Sequence, residues 1–264
     1  MKQVICINWG TRYGAPYINR LYSMVARNIT PPFRFVAFTD TTDSVLPDVE
    51  CFPLPEMPGY IPENTPGKWQ KARLWAAQLA DLTGNLLFID LDVIITDSLE
   101  PFFDHGDPED LYMAWNVARP LNRLGQSSIY RVPVGQLAPL QEIYAKDPQG
   151  VADKYRYEQH FVTANAPRRP KFWPRAWVRH FRIECIPTMP MNFIKPPRLR
   201  NGTRVVIFAG TPDLPEAIKG CLSTKHPVMT PGEYLRYWRR NRLHVRKLQD
   251  YALPAPWIKD FWKI

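Results

Sequence analysis

The chain has 264 residues, of which 45% are hydrophobic, and its formal net charge is +9. The hydrophobic content excludes a disordered chain, and the length suits one large domain. The sequence contains no run of about 18 apolar residues, which a membrane-spanning helix would need. The excess of Lys and Arg predicts an anionic partner, such as a phosphate-bearing substrate, an anionic membrane surface or a nucleic acid.

The spacing of the cysteines and the apolar run near the N-terminus bear on the cellular compartment. The four cysteines are dispersed and show no metal-ligand spacing. The apolar run over 4–7 is too short for a signal peptide and predicts a first strand. We therefore expect a cytoplasmic protein, with peripheral contact to the inner face of the membrane as an alternative.

The first hundred residues alternate between strand and helix patterns. Strands are predicted over 3–8 and 33–39, with a helix over 15–28 between them. Six prolines make the segment 41–67 a long irregular loop, and a helix is predicted over 68–82. An apolar strand begins at residue 86. This β-α-β-α-β order predicts an α/β fold whose mostly parallel sheet is covered by helices on both faces.

The pattern is less regular beyond residue 100. A helix start is predicted at 97–101, strands over 111–115, 127–132 and 205–208, and helices over 136–146 and 233–248. We find no internal repeat, so we expect one domain with an irregular C-terminal portion.

Two carboxylates, Asp90 and Asp92, interrupt the apolar run 86–95. Burying ionised groups is costly unless a partner neutralises them, so this pattern predicts a bound cation or a positively charged ligand. An Asp-x-Asp pair also suits Mg²⁺ or Mn²⁺, which take hard oxygen ligands together with substrate phosphates. The alternative is a turn at the strand end in which one acid caps the following residues.

Several motifs in their order resemble the GT-A class of nucleotide-sugar glycosyltransferases, and within it the bacterial relatives of glycosyltransferase family 8. The motifs lie at 8–13, 39–40, 88–92, 126–130, 158–161 and 206–212, so the resemblance covers about residues 3–220. It implies a GT-A-like, Rossmann-type, mostly parallel sheet flanked by helices. It also implies one domain over 1–264, with a nucleotide-binding half at 1–100, an acceptor-binding half at 101–220 and a basic helical extension at 221–264.

The resemblance implies transfer of a sugar from a nucleoside-diphosphate donor, preferably a UDP-sugar, to a saccharide or a lipid-linked glycan. Mn²⁺ or Mg²⁺ would assist, with Asp92 as a direct ligand and Asp90 contacting the metal or the donor. One departure concerns the third metal ligand, because family members carry a histidine where this chain has Ala209. Asp213 could compensate, although an acid that caps a loop is the alternative we favour.

The predicted donor-binding residues come from several motifs. Tyr13 is expected to stack on the nucleoside, Asp40 to accept a hydrogen bond from uracil, and Arg73 to contact the diphosphate. Alternatively, Thr11 and Tyr13 are ordinary turn residues and Asp40 caps a helix or a turn. The basic side chains of the helix over 68–82 would then simply be solvated. The full predicted set is Asn8, Thr11, Tyr13, Asp40, Lys71, Arg73, Asp90, Leu91 and Gly210.

Glu158 and Gln159 are the predicted catalytic residues. In a retaining enzyme they would stabilise an oxocarbenium-like transition state, and in an inverting enzyme Glu158 would be the general base. The alternative is a polar helix start with Phe161 in the core. In the stretch 172–182, aromatic residues alternate with arginines, and we expect it to contact the acceptor or the diphosphate, with Trp177 and Arg182 as acceptor-binding residues. Packing and nucleic-acid binding are the less favoured alternatives.

The segment 233–248 predicts a basic amphipathic helix, which could lie on an anionic membrane or pack on the domain. Two other functions stay open. A nucleotidyltransferase also places two acids at a strand end, and a GT-A scaffold without catalytic activity could serve as a basic binding module.

Overall fold

The computed structural model describes residues 1–221 and 227–264. Within these residues, the chain divides into two compact units: the first comprises 1–91 and 98–175, and the second comprises 92–97 and 176–264. Strands β1 to β10 span Lys2–Asn8, Phe33–Thr39, Glu50–Phe52, Asn85–Ile89, Val93–Ile95, Tyr112–Trp115, Gly125–Pro133, Lys171–Phe172, Val178–His180 and Val205–Ile207. Helices α1 to α8 span Ala15–Asn28, Glu100–Asp104, Ala138–Lys146, Pro148–Tyr155, Glu158–Asn165, Leu214–Lys219, Pro231–Arg240 and Ile258–Phe261. The predicted partition at residues 100 and 220 stays a prediction.

The first unit is built on a seven-stranded sheet in the order β3-β2-β1-β4-β7-β6-β8. β1 runs parallel to β2 and β4, and β2 runs parallel to β3. β7 is antiparallel to both β4 and β6, and β6 and β8 are parallel. The predicted α/β class with a mostly parallel sheet flanked by helices is therefore confirmed.

The core of the first unit forms because its central strands carry apolar side chains on both faces. In β4 the residues 86–89 are all buried, as expected for a strand covered on two sides. On one face, Trp69 stacks on Tyr144 of α3 with 5.4 Å between the ring centroids. Phe161 of α5 lies 6.2 Å from Trp69 and is fully buried. These aromatic contacts join α3 and α5 to each other through the segment that carries Trp69.

The apolar run 86–95 forms two strands, and the two acids lie in the segment between them. β4 ends at Ile89, and the amide of Asp90 adds one more hydrogen bond to the Ser128 carbonyl, with 2.8 Å between N and O. β5 then pairs antiparallel with β10 in the three-stranded sheet β5-β10-β9 of the second unit. The two acids therefore lie where the chain leaves one sheet and enters another.

The predicted helix over 68–82 is also corrected. Only Trp69–Trp75 is helical, and it is a 3₁₀ helix. Its continuation is prevented because Ala76 has an extended backbone, with ψ of 146°, and Ala80 is left-handed, with φ of +48°. The side-chain amide of Gln141 donates to the Ala72 carbonyl, which an α-helix would use internally.

The predicted helix over 233–248 is shorter and begins earlier, as α7. It starts with a capping box between Thr230 and Glu233 and ends at Arg240. Arg242 is left-handed, with φ of +48°, and a 3₁₀ turn follows over Val245–Asp250. Tyr234 is buried whereas Val245 is 53% exposed. The apolar side of the predicted amphipathic helix therefore does not form one continuous face. In the described parts of the chain, we find no helix with the length and apolarity needed to cross a membrane.

Candidate functional site

The carboxyl ends of β1, β2 and β4 lie side by side in the first unit, because the three strands are parallel neighbours. Asn8, Asp40 and Asp90 lie at or directly after these ends. Ligands in open α/β sheets bind outside the carboxyl ends of the strands. The candidate site is therefore built from this edge of the sheet.

The turn after β1 is held by two polar side chains. The Asn8 amide donates to the Thr39 hydroxyl at 3.2 Å and accepts from the Gly14 amide at 3.1 Å. The Asp40 carboxylate accepts from the Gly10 amide, with 2.6 Å between O and N. Asn8 and Asp40 therefore shape the turn, whatever ligand it contacts.

Two predicted nucleoside contacts lie on the accessible part of this turn. Thr11 is exposed, and Tyr13 is half-buried against the Tyr17 ring, with 4.7 Å between centroids. The Arg12 guanidinium lies 4.9 Å from the Tyr13 centroid. An aromatic ring beside a guanidinium at the sheet edge can bind a flat, anionic ligand such as a nucleotide.

At the end of β4, a buried ion pair joins Lys71 to Asp90. Lys71 Nζ lies 2.8 Å from Asp90 Oδ2 and 3.2 Å from the Ser127 carbonyl oxygen. The side chains are 8% and 18% exposed. The Phe88 ring lies beneath the ammonium group at 5.2 Å. Lys71 thus supplies the positive charge that the isolated acid pattern required.

A second carboxylate reaches the same ammonium group from the start of α5. Glu158 Oε1 lies 3.9 Å from Lys71 Nζ, and its side chain is 6% exposed. The same oxygen accepts a short hydrogen bond from the Ser127 hydroxyl. Gln159 accepts from the Ser127 amide at 3.3 Å. We call Lys71, Asp90, Ser127 and Glu158 the acid–lysine cluster.

The interior side of the acid–lysine cluster is tightly packed. A cavity of about 10 Å³, space for about one water molecule, lies between Lys71, Ser127, Glu158 and Tyr130. The pKa of Tyr130 is raised by burial and by the negative charges of Asp90 and Glu158. The tyrosine is therefore neutral and provides an uncharged floor to the cluster.

The remaining predicted donor residues of the first unit have different surroundings. Arg73 donates to the Pro55 carbonyl at 2.5 Å and to Gln70 at 2.8 Å, so it ties the 3₁₀ helix to the proline-rich loop. Leu91 is buried. These hydrogen bonds of Arg73 do not involve the acid–lysine cluster. The roles predicted for Arg73 and Leu91 in donor binding stay predictions.

The described residues do not form a complete site for a resident divalent metal. Asp90 is bound by Lys71, and Ala209 offers no ligand atom. Across residues 1–221 and 227–264, we find no cluster of three His, Cys, Asp or Glu side chains that could hold a metal ion. Such ions need several oxygen or nitrogen ligands, which backbone carbonyls, water and substrate oxygens can also supply.

The second unit carries the other predicted site residues. Gly210 follows β10 with φ of +95°, which favours glycine. The Trp177 ring lies 5.5 Å from the Arg204 guanidinium, and Arg182 is bonded to Asp250. Asp213 caps α6 by accepting from the Glu216 amide at 3.0 Å, which is the capping role expected from sequence.

Sequence reasoning missed Ser127 as a site residue. Its hydroxyl binds Glu158 and its carbonyl accepts from Lys71. The available signal was three consecutive polar residues, 126–128, at the start of a strand whose other residues are mostly apolar. A buried hydroxyl requires a hydrogen-bond partner, and here the partner is a catalytic candidate.

No protein-family model and no curated protein matches the sequence. The galactosyltransferase LgtC, solved with donor and acceptor sugar analogs, is similar in structure, with a TM-score of 0.57 and 13% identity over 80% of this chain and 88% of that chain. The glycosyltransferase GlyE of Streptococcus pneumoniae TIGR4 has a TM-score of 0.57 and 10% identity, over 92% of this chain and 65% of that chain. Mouse xyloside xylosyltransferase 1 has a TM-score of 0.50 and 11% identity, over 79% of this chain and 97% of that chain.

These identities are low, so the similarities establish the fold alone. The mixed α/β architecture, with a large, mostly parallel central sheet flanked by helices, matches that of GT-A-type glycosyltransferases. The chain therefore has a GT-A-type glycosyltransferase fold, with the acid–lysine cluster at the carboxyl edge of its main sheet.

Proposed function

We propose that this protein is a glycosyltransferase that moves a sugar from a nucleoside-diphosphate donor, preferably a UDP-sugar, to a saccharide or lipid-linked glycan. The observation that carries the proposal is the acid–lysine cluster, which joins Asp90 after β4 to Glu158 of α5 through one buried ammonium group. Buried charges of this kind cost stability and are retained where a site needs them. The fold shared with glycosyltransferases supports this choice of reaction class.

The donor would lie over the turn after β1. Thr11 and Tyr13 would contact the nucleoside, and backbone groups of the turn would bind its edge. The second Asp40 oxygen would accept from the base, while the first holds Gly10. Arg73 would reach the diphosphate after exchanging its bond to Pro55.

Glu158 and Gln159 would face the reacting sugar carbon. Ser127 fixes both side chains, since its hydroxyl binds Glu158 and its amide binds Gln159. Such fixed groups can stabilise positive charge on the sugar or accept a proton from the acceptor. The anomeric configuration of the product would distinguish the two roles.

The predicted Mn²⁺ or Mg²⁺ would bind together with the donor substrate. Asp92 would be its protein ligand, with diphosphate oxygens completing the coordination. When bound, such a cation would neutralise charge on the leaving diphosphate.

Peripheral membrane contact is a further part of the proposal. Arg236, Arg239 and Arg240 are exposed on α7, with Leu235 44% exposed beside them. Basic and apolar side chains together favour an anionic lipid surface, where a lipid-linked acceptor would be found. Co-sedimentation with vesicles containing anionic lipid, compared with neutral vesicles, tests this contact.

Calorimetric titration with UDP and a panel of UDP-sugars, followed by product analysis, tests the main proposal. We expect a saturable UDP complex and release of UDP when an acceptor is present. Release of pyrophosphate would instead identify a nucleotidyltransferase. The absence of nucleotide binding under all conditions would contradict the proposal and favour a non-catalytic binding module.

A further inference from the structure

A group of basic and aromatic residues near the acid–lysine cluster is not used by the proposed donor site. Trp115, the last residue of β6, packs edge-to-face on Phe172 of the neighbouring strand β8, with 4.8 Å between ring centroids. The Arg175 guanidinium lies 4.4 Å from the Trp115 centroid, and the Arg123 guanidinium lies 5.8 Å from the Phe172 centroid. We call these four residues the arginine–aromatic patch.

Each arginine of the patch is exposed, whereas the rings beneath are half-buried. A guanidinium group over a ring keeps its N–H groups directed outward, and stacking reduces its conformational freedom. Two such groups over neighbouring rings form a preorganised pair of donors. A planar guanidinium matches the geometry of phosphate and carboxylate oxygens.

The charges around the patch are unbalanced. In the described parts of the chain, we find no carboxylate within ion-pairing distance of Arg123 or Arg175. The nearby Asp110 is bound by Lys171 and Arg168, at 2.5 Å and 3.6 Å. The two arginines of the patch therefore present positive charge that can attract an external anion.

The patch is close to the predicted catalytic residues through β7. Trp115 pairs with Gly125, and Ser127 of the acid–lysine cluster lies two residues further on, about 7 Å along the strand. Gly125 is itself bonded to Thr163 of α5, the helix that begins with Glu158. A ligand that extends from the cluster along the start of β7 would therefore pass close to the patch.

We propose that the arginine–aromatic patch binds a phosphate or carboxylate group of the acceptor, so that the acceptor is an anionic saccharide. This proposal rests on the proposed function. The guanidinium groups of Arg123 and Arg175 would hold the anion while the acceptor hydroxyl faces Glu158. Phosphate and carboxylate share this chemistry.

The geometry favours a saccharide anion over a nucleic acid. Single-stranded nucleic acids gain affinity when their bases stack on aromatic faces. In the patch, each ring has one face near an arginine and an edge-to-face contact with the other ring. Recognition would therefore depend on charge and on hydrogen bonds to the guanidinium edges.

The test compares saccharides that differ in charge. Binding of glucose 6-phosphate, trigalacturonate and neutral maltotriose would be measured by calorimetry in the presence of UDP, with a single-stranded RNA oligonucleotide as a fourth probe. We expect at least one anionic saccharide to bind about tenfold or more tightly than maltotriose, and its affinity to fall with added salt. Phosphate and carboxylate sources are separated by which of the first two probes binds.

Variants assign the binding to the patch. We expect R123Q/R175Q to weaken the anionic saccharide about tenfold or more, since each charge-assisted hydrogen bond contributes substantially. The matched control R27Q/R198Q removes two exposed arginines that lie outside the patch and outside α7, and it should leave binding unchanged. Equal binding of neutral and anionic saccharides, unchanged binding by the patch variant, or preferential binding of RNA would each overturn the proposal.

The same titrations separate this inference from the proposed function. UDP binding that persists in R123Q/R175Q, together with loss of the anionic saccharide, supports both. UDP binding without discrimination between charged and neutral saccharides overturns only the patch. Failure of the wild type to bind UDP or any other nucleoside diphosphate would overturn the proposed function.

Discussion

Lys71 and Asp90 form a buried ion pair, with 2.8 Å between Nζ and Oδ2, at the point where β4 ends. The pair links the 3₁₀ helix Trp69–Trp75 to the main sheet. It also places one positive charge between Asp90 and Glu158, since Glu158 lies 3.9 Å from the same ammonium group. The candidate site is therefore part of the packing of the first unit.

Loss of the ammonium group should destabilise the fold. Lys71→Met leaves two buried carboxylates without their cation, so we expect the free energy of unfolding to fall by about 3–5 kcal/mol. Chemical denaturation monitored by circular dichroism measures this change. The control Lys247→Met removes a 58% exposed lysine whose partner Asp250 keeps Arg182, and it should cost less than about 1 kcal/mol. Equal losses in the two variants would contradict a special role for the buried pair.

Loss of the Glu158 charge should affect turnover more than donor binding. Glu158→Gln retains the acceptor oxygen for Ser127 but removes the negative charge near the reacting sugar. We expect sugar transfer to fall by about 10²–10⁴-fold while UDP affinity changes little. Rate measurements at saturating donor test this, and Glu142→Gln, on the exposed side of α3, serves as the control. A parallel loss of UDP affinity would show that Glu158 acts mainly on the fold.

Asp92 should bind a metal ion only when the nucleotide of the donor is also bound. Because the described residues lack a three-ligand site, we expect Mn²⁺ alone to show no saturable binding by electron paramagnetic resonance. Addition of UDP should produce binding, and Asp92→Asn should abolish it and reduce turnover at least about hundredfold. Full turnover of Asp92→Asn in the presence of a chelator would show that transfer needs neither this acid nor the metal.

Stability should depend on pH through His180 of β9. Burial is the main cause that lowers its pKa from the ordinary 6.5 to about 4; Arg182 lowers it further and Glu184 opposes the shift. The unfolded chain thus binds the proton first as pH falls, so this stabilisation is complete above about pH 6.5 and decreases toward pH 4.

Between pH 6.5 and 5, the loss attributable to His180 should be about 2 kcal/mol. Denaturation curves at both pH values for wild type and His180→Asn measure the difference. The variant should have a flatter pH dependence, although His160, whose pKa is also lowered chiefly by burial, contributes in both proteins. An identical pH dependence in the two proteins would show that His180 is not protonated on unfolding in this range.

The sequence by itself determined the elements whose periodicity is local. The helix over 15–28 and the strand over 33–39 follow from apolar spacing, and both form with the predicted bounds. The motif order also indicated the α/β class and the position of Asp90 at the end of a strand. These features depend on contacts between residues that are near each other in sequence, or on a pattern that repeats along one element.

The tertiary structure alone decided where apolar runs change partner. The run 86–95 has one uniform pattern, yet β4 and β5 join different sheets, because the sequence does not specify which strand each half pairs with. Likewise, the pattern over 68–82 suits an α-helix, but the backbone turns at Ala76 and Gln141 binds the Ala72 carbonyl. Local propensity is overridden here by packing against residues distant in sequence.

The same distinction holds for the site. Sequence identified Asp90 and Glu158 separately, 68 positions apart, as acids suited to chemistry. Only the folded chain showed that Lys71 lies next to both and that Ser127 holds Glu158. A buried charge must be neutralised within a few ångströms, and which residue does so depends on the three-dimensional path of the chain.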